Sequence, residues 1–379
     1  MLWLDDISRD ALRNRRVLLR LDLNVPVLHG AVQDDFRIRR TVPTVKKLLD
    51  SGTQLIILSH FGKEKESLAP VAKYLEQFFP VLFVSNLATI PPSTKWPMGV
   101  AVVLENLRQN AGEEMNSSDF SSQIAAQGDI FVNEAFSVSH RAHASIIGLP
   151  NLLPSYAGSG FAEEVKQLSQ LFQPEKPLAV IVGGVKFGTK LPLVRKFLNI
   201  ADKIFVGGAL AHNFFKLKGY EIGLSVWDDS VRDLDDLLMD ERVILPSEVL
   251  VRQNDYVGVT TPDKVQADGM IVDAGPAVLG QLAELVNDSQ TILWNGPLGN
   301  YEDGYADATL DLARLLAGHG ARVVIGGGDT IAAVEKLNLF DRFRFVSTGG
   351  GAMLDFLAEA TLPGIKALEE SAKKFGVGF

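Results

Sequence analysis

The chain has 379 residues, 46% hydrophobic and 22% charged, with 37 Lys and Arg against 46 Asp and Glu and no cysteine. That length exceeds what one core usually organises, so two domains are expected. A formal net charge of −9 argues against nucleic acid as a partner, the missing cysteine excludes disulfides, thiolate nucleophiles and Cys-metal sites, and no apolar run approaches the roughly 18 residues of a membrane span.

Asp5 and Asp6 stand early with no basic-then-apolar leader, which predicts a cytoplasmic protein. Apolar, β-branched runs of about five residues then alternate with helix-period stretches, the pattern of an α/β fold. Residues 16–21 form the first run and lead to Asp22 and Asn24. Residues 41–50 predict a helix with Pro43 in its first turn and Gly52 as its stop. Residues 55–58 lead to Ser59 and His60, and residues 102–104 to Glu105 and Arg108. Residues 68–79 and 118–127 predict further helices. Pro150 and Pro154 mark a domain boundary, after which residues 161–172 predict a helix linking two bodies.

The second half repeats strand, glycine turn and helix. Residues 178–182 run into Gly183-Gly184, residues 203–206 into Gly207-Gly208, and residues 291–294 into Asn295-Gly296-Pro297. Residues 323–325 run into Gly326-Gly327-Gly328, and residues 345–348 into Gly349-Gly350-Gly351. Helices are expected over 209–218 and 329–337, with a short one at 233–239 before a β-rich patch at 243–260. The tail, 362–379, is helix-prone and ends in Gly376-Val377-Gly378-Phe379. Open parallel sheets bind ligands beyond the carboxyl ends of their strands. The first half offers side chains there, and the second offers backbone that a polyphosphate can approach closely.

In Gly183-Gly184-Val185-Lys186-Phe187-Gly188-Thr189-Lys190, glycine amides and a following helix would face a phosphate, with Lys186 and Lys190 as point charges. The order Thr189-Lys190 departs from a Walker A loop. A tight turn with two solvated lysines is an equal reading. Gly326-Gly327-Gly328-Asp329-Thr330 also has two readings: helix capping by Asp329 or Thr330, or phosphate contacts from the backbone and Thr330 with Asp329 on Mg²⁺. Asp35-Phe36-Arg37-Ile38-Arg39-Arg40 is either a solvated basic face or the source of an arginine for a phosphate or carboxylate. His140-Arg141-Ala142-His143 is a cationic turn, and metal binding by its histidines has no nearby carboxylate or cysteine in the sequence to support it. No dinucleotide fingerprint stands at a strand–helix junction, which argues against a dehydrogenase, and no serine sits in a nucleophile elbow.

Together these stretches resemble the phosphoglycerate kinase family, in family order from about Val17 to Ala367. Arg20-Leu21-Asp22-Leu23-Asn24-Val25-Pro26, Leu104-Glu105-Asn106-Leu107-Arg108, the His140–His143 turn, Trp294-Asn295-Gly296-Pro297, the Gly326–Thr330 loop and Ser347-Thr348-Gly349-Gly350-Gly351-Ala352 carry the resemblance. It implies two Rossmann-like domains, each a mostly parallel sheet flanked by helices, joined by an interdomain helix and hinge. Residues 1–155 would bind 3-phosphoglycerate, with the tail 362–379 packing back on them. Residues 156–361 would bind nucleotide and include the interdomain helix, 160–172. The implied reaction is reversible, Mg²⁺-dependent phosphoryl transfer between 1,3-bisphosphoglycerate and ADP, giving 3-phosphoglycerate and ATP, by a monomer that uses neither nucleic acid nor membrane.

By motif position, Asp22 and Asn24 would hold the glycerate, and Arg37, His60, Phe61, Gly62, Lys63, Arg108 and Arg141 its phosphate and carboxylate. Arg37 and Lys186 would accompany the phosphoryl group in transit. Gly183, Gly184, Lys190, Gly207, Gly208, Glu302, Gly326, Gly327, Gly328, Asp329 and Thr330 would hold the nucleotide, Glu302 at the ribose and Asp329 on the metal. Such a set suits phosphoryl transfer, which needs positioning and charge neutralisation but no covalent residue. Closure of the two domains would expel water, with residues 161–172 and 347–351 as hinge candidates. A binder that kept the fold but lost transfer is the alternative, and the retained Arg37, Lys186, Glu302 and Asp329 argue against it. Three places depart from the family pattern: Lys63 replaces an arginine, Asn133-Glu134-Ala135-Phe136-Ser137 replaces the commoner Asn-Asp-Ala-Phe-Gly, and Asn300-Tyr301 replaces a Val-Phe pair.

Overall fold

Gln54–Leu58, Leu178–Val182 and Thr291–Asn295 are buried along their whole length. Strands covered by helices on both faces must be so, and each fully buried Val, Leu or Ile contributes roughly 1.5–3 kcal/mol. The computed structural model describes residues 1–229 and 234–376. Two sheet-bearing units emerge, Met1–Lys166 with Thr361–Phe379, and Gln167–Ala360.

The first unit holds β1 (Leu2–Trp3), β2 (Arg16–Arg20), β3 (Gln54–Leu58), β4 (Val81–Val84), β5 (Ala101–Leu104), β6 (Ile130–Asn133) and β7 (Ser155–Ala157). They form one parallel sheet in the order β1-β7-β6-β2-β3-β5-β4. The chain leaves β2 toward β3 and later returns to its other side with β6, so the switch point lies between β2 and β6. Register places Arg20 beside both Leu58 and Asn133, so the residues after these three strands emerge at one edge.

In the second unit, β8 (Leu178–Val182), β9 (Lys203–Val206), β10 (Val243–Ile244), β14 (Thr291–Asn295), β15 (Arg322–Gly326) and β16 (Phe345–Val346) form a second parallel sheet, ordered β10-β9-β8-β14-β15-β16. All five glycine-ended runs lie in it. Val182 pairs with Val206 and Asn295, and Asn295 with Gly326, so their glycine loops share one edge around a switch point between β8 and β14. The β-rich patch divides: β10 joins this sheet, while β11 (Val249–Gln253), β12 (Tyr256–Thr260) and β13 (Met270–Ala274) form a separate antiparallel sheet.

The helices that position the sites are α1 (Phe36–Asp50), α2 (Ser159–Ser169), α3 (Phe187–Leu198), α4 (Gly208–Leu217), α5 (Gly328–Lys336) and α6 (Pro363–Phe375). α1 begins at Phe36, so the basic run 35–40 opens the helix and Pro43 lies inside it rather than in its first turn. The Asp34 side chain accepts from Phe36 N at 2.8 Å and Arg39 pairs with Asp35 at 2.7 Å, which anchors the earlier start. The predicted helices at 68–79 and 118–127 shorten to Ala69–Leu75 and Ser118–Ala125, and that at 233–239 to Asp235–Leu238, with Asp233 outside the described residues.

The division between units falls inside α2, not at the prolines before it. The start of α2 is tied to the first unit because Glu134 accepts from Gly160 N and Phe161 N, at 2.9 and 3.3 Å, and Phe161 packs edge-on against Phe136. α6 also belongs to the first unit: Ser371 Oγ donates to the Leu153 carbonyl at 3.0 Å and Lys374 Nζ to the Asn151 carbonyl at 2.7 Å. Val377, Gly378 and Phe379 lie outside the described residues. Among the described residues no helix is long and apolar enough to cross a membrane.

Candidate functional site

At the carboxyl edge of the first sheet, Asp22 follows β2 and is nearly buried. Its carboxylate accepts from Arg37 Nη1 on the first turn of α1 at 2.9 Å, from Ser137 Oγ after β6, and from Asn24 N at 3.3 Å. Burial alone would raise this carboxyl, but the charge of Arg37, helped by the Ser137 hydrogen bond and the charge of Arg20, outweighs it and holds it below the usual carboxylate value. Asn24 Oδ1 accepts from Gly62 N at 2.9 Å, so it also shapes the loop after β3.

His60 follows β3 and is 4% exposed. Arg20 ends β2, is 1% exposed, and donates from Nη2 toward His60 Nδ1 at 3.1 Å. A guanidinium cannot accept, so Nδ1 is the acceptor and the ring proton sits on Nε2. Burial, reinforced by Arg20, Arg108 and Arg141, pushes the imidazole down to about 2. Those three arginines are therefore close enough to share one field with His60. Arg108 donates to the Gly62 carbonyl at 2.7 Å and pairs with Glu114 at 3.0 Å, while Arg141 and Lys63 are exposed. The unit thus gathers Asp22, Asn24, Arg37, His60, Phe61, Gly62, Lys63 and Arg108 at adjoining strand ends, and Arg141, exposed on the turn after β6, adds its charge to the same field.

Several residues that build this edge were not among the sequence candidates. Asn106 is buried; its Oδ1 accepts from Phe61 N and Arg108 N, and its Nδ2 donates to the carbonyls of Phe61, Lys63 and Glu66. Ser145 accepts from Arg20 Nε at 2.9 Å and donates to buried Glu113 at 2.5 Å. Glu113 also lies 3.9 Å from His143, so a carboxylate does stand near that histidine. No metal-binding cluster of three His, Cys, Asp or Glu occurs among the described residues.

In the second unit the glycines divide by function. A Cβ at Gly183 would lie 2.1 Å from the Pro297 carbonyl oxygen, and one at Gly208, whose φ is +57°, would lie 2.4 Å from Gly184 N. These two let the three loops approach each other closely, so their first task is loop packing. Gly188 and Gly328 face open space at the starts of α3 and α5. Gly327 is the N-cap of α5, and no side chain caps it. The capping reading for Asp329 and Thr330 is thereby corrected. Thr330 is fully buried and its Oγ1 accepts from Gly296 N at 2.9 Å, so it fastens two loops and keeps its O–H as a donor.

Asp329, half-buried in the first turn of α5, keeps its carboxylate for other use. Lys190 is buried and donates to the Gly183 carbonyl. Burial pulls its ammonium down to about 8, with Asp329 opposing, so it stays mostly charged at neutral pH. Lys186 is the N-cap of α3 and is exposed. Asn295 is 2% exposed, and its Nδ2 donor has no hydrogen-bond partner among the described residues. A buried orphan donor at the end of β14, near Gly326 and the glycine loop before α5, suits a polar oxygen. A groove of about 180 Å³ opens from these loops, with Gly184, Glu302 and Asp329 among its polar lining and Phe215, Val226 and Pro246 among its apolar lining.

The family model for phosphoglycerate kinase matches residues 4–360. The phosphoglycerate kinase of Thermus thermophilus is 40% identical to this chain, covering 94% of it and 97% of its own length. That of Orientia tsutsugamushi is 36% identical, covering 97% and 98%. Among solved structures, phosphoglycerate kinase from Coxiella burnetii superposes with a TM-score of 0.82 at 36% identity, covering 98% of this chain and 99% of its own. Phosphoglycerate kinase from Pyrococcus horikoshii gives 0.85 at 26% identity, covering 99% and 100%.

Proposed function

The chain belongs to the phosphoglycerate kinase family, and we propose that its first unit holds the triose acid and its second the nucleotide. The reaction is the reversible glycolytic transfer of a phosphoryl group between 1,3-bisphosphoglycerate and ADP, giving 3-phosphoglycerate and ATP. One observation carries the division of labour. Two parallel sheets present opposite kinds of strand end, buried cations around Asp22 and His60 in one and glycine loops around Lys190 and Asn295 in the other.

In this reading Arg37 is half-oriented before any ligand arrives, because Asp22 fixes one arm of its guanidinium. The remaining arm faces the acid and the phosphoryl group in transit. His60 contributes a neutral Nε2–H donor, while Lys63, Arg108 and Arg141 balance the 3-phosphate and carboxylate. Phe61 and Gly62 shape the loop between them. Gly183, Gly184, Gly207, Gly208, Gly326, Gly327 and Gly328 bring backbone and helix N-termini toward the nucleotide phosphates, and Lys190 and Asn295 add donors. Glu302 reaches the ribose. Lys186, at the start of α3, follows the phosphoryl group.

Mg²⁺ fits this second edge, since Asp329 offers a carboxylate that no cap consumes beside loops suited to phosphate oxygens. When bound it neutralises charge on those oxygens. The mixed anhydride is already activated, so these residues need only align and shield charge; no general base is required in the ATP-forming direction. We further propose a cytoplasmic monomer acting on small molecules alone.

Initial rates with 3-phosphoglycerate, ATP and Mg²⁺ in a coupled assay test this reading. Turnover is expected in the parent and a loss of at least a hundredfold in kcat for Lys186→Ala, with KM for 3-phosphoglycerate little changed. No turnover by folded parent protein would overturn it.

A further inference from the structure

The groove of the second unit contains a residue that no phosphate or ribose contact uses. His212, on α4, is 5% exposed and lines the groove together with Ala211, Phe215, Val226 and Pro246. Gly208, Ala211, His212 and Phe215 follow helical spacing, so one face of α4 forms this wall. The wall is apolar apart from the imidazole. A purine ring seeks such a surface, while the charged end of the groove, at Asp329 and Glu302, suits phosphate and ribose.

The state of the ring follows from its neighbour. Nδ1 lies 2.7 Å from the Val226 carbonyl oxygen. A carbonyl can only accept, so Nδ1 carries the proton. The segment bearing Val226 is fastened to the same helix two residues further on. Asn213 Nδ2 donates to the Asp228 carbonyl at 2.7 Å, and Asp228 N donates to Asn213 Oδ1 at 3.1 Å. That clamp fixes the carbonyl and, through it, the tautomer. Burial pushes the imidazole down to about 4, so the ring is neutral at physiological pH. Nε2 is then a lone-pair acceptor, and it has no hydrogen-bond partner among the described residues.

We infer that His212 Nε2 accepts a hydrogen bond from the 6-amino group of the bound purine, making His212 a specificity-determining residue for adenine over 6-oxo purines. The inference rests on the nucleotide reading of this groove proposed above. Adenine presents an N–H donor at position 6, whereas a 6-oxo purine presents an acceptor there, which would face the Nε2 lone pair acceptor to acceptor. Sites built to pair with one group reject the analogue that leaves a buried polar atom unpaired. A single neutral hydrogen bond with an opposed acceptor in its absence corresponds to about tenfold in affinity.

Calorimetric titration of ADP, IDP and the diphosphate of unsubstituted purine riboside tests this in the intact protein. The parent is expected to bind ADP about tenfold more tightly than either analogue. In His212→Phe, which keeps an aromatic wall and removes the acceptor, the three affinities should converge to within about twofold, with 3-phosphoglycerate affinity unchanged. Equal binding of the three by the parent overturns the inference, even where His212→Phe does not fold. So does a preference that survives the substitution. ADP binding that is indifferent to Lys190→Ala, which removes the ammonium held at the Gly183 carbonyl, would instead overturn the nucleotide reading beneath.

Discussion

Lysine at position 63 brings one compact charge to a position where the family pattern has a planar fork. Its side chain is exposed, and its backbone N–H is held by the Glu66 carboxylate, so loop geometry does not depend on the head group. Lys63→Arg is therefore expected to tighten 3-phosphoglycerate binding about fivefold through bidentate contact, without changing stability. Equal affinities in a direct titration would remove the argument. His60 supports a second expectation. Its folded value, about 2, lies far below the ordinary 6.5, so the unfolded chain takes up this proton first as pH falls. The stability it contributes is present above pH 6.5 and is lost progressively below it. His60→Gln should flatten the acid limb of a urea-unfolding series between pH 6.5 and 4 by about 1.4 kcal/mol per pH unit.

Single elements show why some of the site could be read from sequence and some could not. The run 55–58 followed by Ser59 and His60 states strand and ligand edge together, because a buried parallel strand ends where its apolar run ends. Arg37 was legible for the same local reason, since the basic run 35–40 opens the helix that carries it, and only the place of Pro43 differs. Asn106 was visible only as part of a motif. Its work is to satisfy five backbone groups of a loop some 40 residues away in sequence and of its own turn, which no local pattern encodes. For Thr330 composition alone allowed a cap, since hydroxyls favour caps, whereas here Gly327 caps the helix and the hydroxyl holds a neighbouring strand's loop. Asn106→Ala should lower stability by about 2–4 kcal/mol in urea unfolding and raise KM for 3-phosphoglycerate, since several buried backbone groups lose their partner together. Unchanged KM would show that the loop holds its shape without this side chain.

At the scale of the molecule, the first unit is discontinuous. The second unit is a single insertion, Gln167–Ala360, and the chain then returns to finish the first with α6. Leu362, Ile365 and Leu368 are buried in that return. Their combined burial corresponds to roughly 5 kcal/mol or more. A chain ending at Ala360 should therefore lose the calorimetric transition of the first unit or show it at markedly lower temperature. The second unit, reported by fully buried Trp294, should melt as before. A shared loss would mean the units do not fold separately. Tail helicity was legible in sequence, but a helix pattern names no partner, and contacts such as those with Ser139, Asn151 and Leu153 supply one. The threading also orders events on the ribosome. Every residue of the second unit is synthesised before α6 of the first unit exists. The unit that starts first is thus the last able to complete its core, and during translation its apolar surface around Leu153 waits uncovered for a segment made some two hundred residues later.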